Sequence, residues 1–290
     1  MATRLYARIS GISGIALAIG LLAACSSAPP PSSEAAPALS PAEDHEAELQ
    51  SLLQEADASW KERRSGESLE RALRAYDGAL TLDAEHDLVD DTALLDLQLS
   101  RAQAYAFAAR AALAGSDEAP QDATGAARKG EEAARAALLL DENSNEARYW
   151  LARNLELGAR AAGAAAKLER APELNTLFDA LAANAPERLR AESALMLAGR
   201  ACSADFGRDL EACAAHIDAA EQAAPDDLDV ALARASLLAV ATNDRAAFER
   251  HLSSLVALKP DGLSPEAQLA RLEARALLEQ IDRYFAPTSP

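Results

Sequence analysis

The chain has 290 residues, and 46 acidic against 28 basic side chains give it a formal net charge of −18 at pH 7. Proteins that bind nucleic acid carry a basic footprint for the phosphates, so this balance argues against a nucleic-acid partner. Clusters of β-branched residues and alternating apolar runs are nearly absent, which excludes a β-rich fold and indicates an all-α class.

The first 24 residues are predicted to be a lipoprotein signal peptide. Arg4 and Arg8 give it a positive start, and residues 9–24 form an apolar run too short and too glycine-rich to span a bilayer comfortably. The run ends in Leu-Ala-Ala-Cys, so cleavage would leave Cys25 as a lipidated first residue. The alternative is an ordinary cleavable signal followed by an accidental cysteine.

The predicted lipid anchor sets the expected location of the protein. Two or more acyl chains hold a protein firmly at a membrane surface. Ser26 follows the cysteine, and in Gram-negative lipoproteins a serine there favours sorting to the outer membrane. We therefore expect a lipoprotein that faces the periplasm, attached to the membrane through Cys25.

Residues 25–44 are predicted to comprise this lipidated cysteine and an extended linker. Five of the 13 prolines in the chain fall here, among serine and alanine. Such a composition cannot bury a core and stays extended, so the linker would hold the folded part up to roughly 60 Å from the lipid.

Residues 45–286 are predicted to form one helical domain, followed by a disordered tail at 287–290. The composition shifts to alanine, leucine and alternating charge, and prolines fall where helices should begin or end. Apolar spacings of three and four predict five helix pairs and a single closing helix. The pairs are predicted at 46–64 with 68–82, 91–113 with 123–140, 146–169 with 173–184, 187–202 with 209–223 and 228–241 with 244–258, and the closing helix at 265–285.

The helix pairs indicate a repeat of the tetratricopeptide (TPR) type. Ala72, Tyr76 and Ala79 follow the small–aromatic–small pattern of a TPR second helix, and the second helices of the pairs end alike. One pair cannot bury its apolar face alone, so we expect the pairs to stack into a right-handed superhelix, an α-solenoid with a continuous core. The closing helix is predicted to act as a cap, with its charges turned outward.

Cys202 and Cys213 are an even pair in a compartment that permits disulfides. Cys202 ends one predicted helix and Cys213 lies early in the next, so a hairpin could bring them together. A disulfide and a pair of small buried hydrophobic side chains both remain open.

No catalytic arrangement stands out. The four histidines are scattered, and no cysteine or histidine spacing suits zinc. Phosphate loops, dinucleotide fingerprints and nucleophile elbows are absent from the sequence, and the carboxylates follow the spacing of helix surfaces. We therefore expect a protein that is not an enzyme and has no cofactor and no metal site.

The candidate binding surface is centred on the third helix pair. Arg153, Arg160 and Lys167 recur every seven residues along one helical face, and they stand out in so acidic a chain. We predict that Arg153, Arg160 and the tyrosines Tyr105 and Tyr149 contribute to a concave surface that receives a partner or ligand. The alternative for the basic stripe is a solvated face paired with acidic neighbours.

Two stretches of the sequence carry a resemblance to a known family. Residues 148–181 contain Tyr149-Trp150, a run of small residues and then Pro172-Glu173, and residues 265–285 end in a segment that holds an acidic and two aromatic residues. In these features the chain resembles the TatT family, the tetratricopeptide lipoproteins associated with tripartite ATP-independent periplasmic (TRAP) transporters. It departs from that family around 202–213, where the family has a longer loop.

The resemblance implies an accessory role in transport. A protein of this family would dock a periplasmic solute-binding protein and assist the delivery of a hydrophobic or organic-acid ligand. Some members form trimers with an apolar channel, so a homotrimer is also implied. The alternative function is that of a TPR lipoprotein scaffold for the assembly of envelope or outer-membrane complexes.

Overall fold

The computed structural model of the chain describes residues 41–116 and 122–285. All regular structure in these two ranges is helical and no strand occurs in them, which confirms the all-α helical-repeat superhelix. No helix in the described ranges is long and apolar enough to cross a membrane. The predicted signal peptide, Cys25, most of the linker and the tail at 287–290 lie outside the described residues.

Twelve α-helices make up the described part of the chain, and short 3-10 turns at Glu187–Leu189 and Ala204–Phe206 precede two of them. The ninth helix continues into a π-helical segment at Arg234–Ala239. The helices are α1 (Pro41–Lys61), α2 (Gly66–His86), α3 (Asp91–Leu113), α4 (Ala123–Leu140), α5 (Asn145–Ala162), α6 (Ala164–Ala183), α7 (Arg190–Cys202), α8 (Leu210–Ala223), α9 (Leu228–Ala233), α10 (Arg245–Val256), α11 (Pro265–Glu279) and α12 (Ile281–Tyr284).

Most helices begin directly after a capping side chain. Asp90, Ser144 and Ser264 each accept a hydrogen bond from the backbone amide three residues further on, at 2.9, 3.2 and 3.1 Å. Such a bond satisfies one of the amides that a helix leaves unpaired in its first turn. Local side-chain chemistry therefore sets where α3, α5 and α11 start.

The boundary between α5 and α6 differs from the predicted one. The predicted break at residues 170–172 is wrong: the helices meet at Gly163, whose φ of 98° lies in the left-handed region that favours glycine. Three alanines follow Gly163, and their high helix propensity starts α6 early. Pro172 consequently lies inside α6 and does not begin it. Lys167 then belongs to α6, so the predicted basic stripe is divided between two helices.

The other helix boundaries differ less from the predicted ones. The first helix starts at Pro41 and so takes in the last four residues of the predicted linker, and the predicted closing helix is interrupted at Gln280 between α11 and α12. The bounds of α3 and α4 agree with the prediction at both ends.

Alanine is the commonest buried residue of the main core. One continuous cluster of buried residues runs from α1 to the middle of α7, and many of its alanines are completely inaccessible to solvent. A methyl side chain lets two helix backbones approach closely, which suits a stack of helices at native packing density.

The superhelix closes on itself because α11 returns to α3. Leu269 of α11 packs against Ala111 and Ala114 at the end of α3. Arg110 of α3 donates two hydrogen bonds to the Asp229 carboxylate, at 2.7 and 2.5 Å, and a third to Glu273 at 2.7 Å. We refer to these three side chains as the closure cluster.

The closure corrects the prediction that the charges of the last helix point outward. Glu273 turns inward, and its side chain is only 14% exposed. Burial by itself would lower the pKa of Arg110, but Asp229 and Glu273 outweigh it and raise that pKa. A buried guanidinium is tolerated only when carboxylates neutralise it and accept its hydrogen bonds. The ion pairs of Arg110 therefore hold α9 and α11 against α3.

Candidate ligand-binding cavity

The superhelix lines a cavity of about 920 Å³ that is partly open to solvent. Its walls come mainly from α3, α5, α6, α7, α9 and α11, and this volume suits a small organic ligand. Both tryptophans of the chain contribute to the lining, together with other aromatic side chains. The aromatic lining residues are Trp60, Phe107, Tyr149, Trp150, Phe178, Phe206 and Tyr284.

One face of α5 forms the longest wall of the cavity. Tyr149, Arg153, Glu156 and Arg160 all line it, at spacings of four, three and four residues. This spacing keeps side chains on one side of a helix. At 1.5 Å per residue, the wall extends about 16 Å from Tyr149 to Arg160.

The end of the cavity near Arg160 has an excess of positive charge. The Glu156 carboxylate accepts a hydrogen bond from Arg153 at 2.7 Å and lies 3.9 Å from the Arg160 guanidinium. Lys167 adds a third cation from the start of α6. Burial opposes the charged form of Glu156, but Arg153 and Arg160 outweigh it and lower the pKa of this carboxyl.

The part of the cavity next to the first turns of α7 and α9, which we call the acidic end, has an excess of negative charge. Glu192 and Asp227 line the cavity there, and neither forms an ion pair within the described ranges of the chain. Asp229 lies beside them, but Arg110 already neutralises it. Burial raises the pKa of both Glu192 and Asp227, and the neighbouring carboxylates raise it further.

Tyr149 lies between the two charged parts of the cavity, one helical turn before Arg153. The residue is only 3% exposed, and its hydroxyl has no hydrogen-bond partner among the residues that the structure describes. Burial raises the pKa of Tyr149; Arg153 opposes this shift, and the carboxylates of Glu192 and Asp229 add to it. The hydroxyl reaches the cavity, so a ligand or a water molecule can supply the hydrogen bond that the described residues do not.

The structure brings together three of the four predicted surface residues. Tyr149, Arg153 and Arg160 share the α5 wall. Tyr105 lies elsewhere: it is 4% exposed, donates a hydrogen bond to Asp77 at 2.6 Å and accepts one from Lys129 at 3.0 Å. Tyr105 therefore belongs to the interface between α2, α3 and α4, because the Asp77 carboxylate holds its hydroxyl there, and not to the predicted concave surface.

Cys202 and Cys213 are joined in a disulfide in the structure, with their Cα atoms 5.3 Å apart. Both residues are buried, and they connect the end of α7 to the first turns of α8. The bond supports the wall of the cavity to which α7 contributes.

Sequence reasoning missed Arg110, Glu192 and Asp227. The sequence does contain a feature that marks Arg110, because it is the single charged residue in an alanine-rich stretch between Arg101 and Asp117. No feature of the sequence marks Glu192 or Asp227, because acidic residues are common in the first turn of a helix and at its N-cap.

The described residues contain no group of three or more histidine, cysteine, aspartate or glutamate side chains that could hold a metal ion. Neither a scan against protein-family models nor a search of the curated proteins finds a match to the chain. The chemistry of the cavity is therefore the guide to function.

Proposed function

We propose that the protein is a lipid-anchored periplasmic binding module that docks the solute-binding protein of a TRAP transporter. The observation that carries this proposal is the cavity of about 920 Å³ on the inner face of the superhelix, lined by aromatic and charged side chains. A solenoid that needed only an outer scaffold surface would have no reason to gather partly buried charged side chains around an inner cavity.

The residues of the family resemblance support the same proposal. The stretch 148–181 supplies the α5 wall and, from α6, Leu174 and Phe178 of the lining. The stretch 265–285 supplies α11, which closes the superhelix through Glu273. The two stretches that resemble the TatT family therefore build and close the cavity.

The lipid and the linker supply placement in this proposal. Cys25 would fix the protein at the membrane, and the proline-rich linker would give it reach. Metabolic labelling with an alkyne fatty acid tests the anchor: wild-type protein should be labelled and remain with the membrane, whereas the Cys25→Ala variant should do neither. Labelling of the variant would contradict lipidation at this residue.

Site-specific photo-crosslinking in intact cells tests the docking step. Arg160 lies near the exposed mouth of the cavity, so a photoreactive amino acid there should crosslink to a solute-binding protein, identified by mass spectrometry. The same amino acid at Arg128, which is exposed but does not line the cavity, is the matched control and should give no such product.

The crosslinked product decides between the two candidate functions. A β-barrel assembly or secretin component at Arg160 would overturn docking of a solute-binding protein and support the envelope scaffold. A crosslink to a second copy of the chain would support the homotrimer that the resemblance implies.

A further inference from the structure

We propose that the acidic end of the cavity binds a protonated amine on an organic ligand, held by the carboxylates of Glu192 and Asp227 and by the hydroxyl oxygen of Tyr149. The inference rests on the proposed function only in that the cavity holds a ligand. It names the chemical class of that ligand.

The first argument is the uncompensated charge. Glu192 has Arg188 as its nearest cation, but Arg188 is engaged by Glu146. Asp227 is influenced by Arg110, whose hydrogen bonds go to Asp229 and Glu273. Two carboxylates therefore line the cavity without an ion pair of their own within the described ranges, which favours the entry of a cation.

The second argument is the Tyr149 hydroxyl. The residue is 3% exposed and lines the same cavity, and its hydroxyl has no hydrogen-bond partner within the described residues. Its oxygen can accept a hydrogen bond, and an ammonium group donates three. Glu192 is the carboxylate that acts most strongly on Tyr149, so an amine bound beside Glu192 would also meet the tyrosine oxygen.

The third argument is the aromatic surround. The Tyr149 and Trp150 rings pack edge to face, with centroids 4.8 Å apart, and both rings line the cavity. Aromatic faces attract organic cations, and apolar walls favour a ligand with a hydrocarbon body. A bare divalent metal is a poorer fit, since no group of three ligating side chains occurs in the described ranges.

Helix capping explains only part of this arrangement. Asp227 caps α9 by accepting a hydrogen bond from the Asp229 amide at 2.9 Å, and Glu192 lies in the first turn of α7. Capping accounts for an acidic residue at each place. It does not account for their convergence on one cavity beside a hydroxyl that lacks a partner.

The test uses the protein as isolated from cells, held in phosphatidylcholine vesicles, with two probes of opposite charge. The probes are 2-phenylethylamine and 3-phenylpropionate, which share a ring and a two-carbon chain. Trp60 and Trp150 are the only tryptophans of the chain and both line the cavity, so intrinsic fluorescence reports occupancy. We expect a saturable change with the amine that depends on Glu192 and Asp227, whereas any response to the carboxylate should not depend on them.

Variants of the residues at the acidic end test where the amine binds. The double variant Glu192→Gln with Asp227→Asn should weaken binding of the amine at least about tenfold, because the charge is lost while asparagine still caps the helix. Tyr149→Phe should weaken it about threefold, since one hydrogen bond is lost. The matched control is Glu211→Gln with Asp209→Asn, the same pair of positions at the start of α8, outside the cavity, and its affinity should equal that of the wild type.

Two results would overturn the inference: no saturation by the amine in the millimolar range, or unchanged affinity for the amine in the double variant. Thermal unfolding of each variant checks that it is folded. The crosslink at Arg160 does not depend on the probe, so loss of amine binding with that crosslink intact would reject the ligand class and leave the docking proposal standing.

Discussion

The first six helices and the last six are held together in different ways. From α1 to α6, one continuous cluster of buried residues, rich in alanine, connects every helix to its neighbours and reaches into α7. Beyond it, the core divides into two smaller clusters, one around α7, α8 and α9 and one around α10 and α11. The second half instead relies on discrete links: the disulfide between α7 and α8, and the closure cluster around Arg110. The comparison teaches that a solenoid can be stabilised by stacking in one half and by specific bonds in the other.

Replacing Arg110 is expected to destabilise the second half of the molecule more than any other change considered below. The substitution Arg110→Met leaves Asp229 and Glu273 partly buried without their cation, so we expect a loss of about 3–5 kcal/mol in the free energy of unfolding. Urea unfolding measures the loss, and hydrogen exchange should show α9 and α11 opening before α4 and α5.

The control for this prediction is Arg200→Met. Arg200 forms an ion pair with Asp179, whose side chain is 70% exposed, and exposed pairs contribute less than about 1 kcal/mol. Equal losses in the two variants would contradict the role of the closure cluster.

The disulfide provides the next largest effect. Reducing the bond between Cys202 and Cys213, which are 11 residues apart, should cost about 2–3 kcal/mol by the chain-entropy argument. Urea unfolding with and without a reductant measures this cost. The double variant Cys202→Ala with Cys213→Ala should not respond to reductant; a response in it would show that the reductant acts elsewhere.

Alanine substitutions at two glycines test how tightly side chains pack in each half of the molecule. A Cβ atom at Gly130 in α4 would lie 2.0 Å from the Asn154 Oδ1 atom, and Asn154 is held by hydrogen bonds to the Ala102 and Trp150 carbonyls. We expect Gly130→Ala to cost about 1–3 kcal/mol. At Gly199 in α7 a Cβ would meet nothing within 4 Å, so Gly199→Ala should stabilise the protein by about 0.5–1 kcal/mol. Thermal unfolding of the two variants should shift in opposite directions.

The smallest predicted effect concerns the two ends of the cavity. The pKa of Glu192 is raised in the folded protein, so the folded state binds more protons, and this residue lowers stability as pH rises through the ordinary carboxyl range. Glu192→Gln should therefore raise the melting temperature at neutral pH, and the gain should vanish at acidic pH. The pKa of Glu156 is lowered, so Glu156→Gln should do the opposite at neutral pH. Shifts of the same sign in both variants would contradict the division of charge across the cavity.

How far the sequence predicts the fold depends on how local the signal is. Capping residues and alanine-rich faces placed α3 and α4 at the bounds that the structure shows. The break at Gly163 escaped prediction because alanine runs carry no boundary signal, and proline at 172 offered a misleading one. Tyr149, Arg153 and Arg160 could be selected because residues three to four apart share a helix face.

The acidic end of the cavity could not be predicted in the same way. Arg110 meets Asp229 across 119 residues and Glu273 across 163, and no periodic pattern links positions so far apart. Glu192 and Asp227 are unremarkable helix-start residues until the curvature of the stack brings them to one space.

By itself, the sequence determined that the chain is helical, where most helices start, and which face of α5 is charged, because each of these depends on side chains within about one helical turn. Only the tertiary structure decided that the stack closes, that α11 turns Glu273 inward, and that a cavity with two oppositely charged ends results. Those outcomes depend on the small rotation from each helix pair to the next, and its sum over many repeats is set by packing between helices and not by any local pattern.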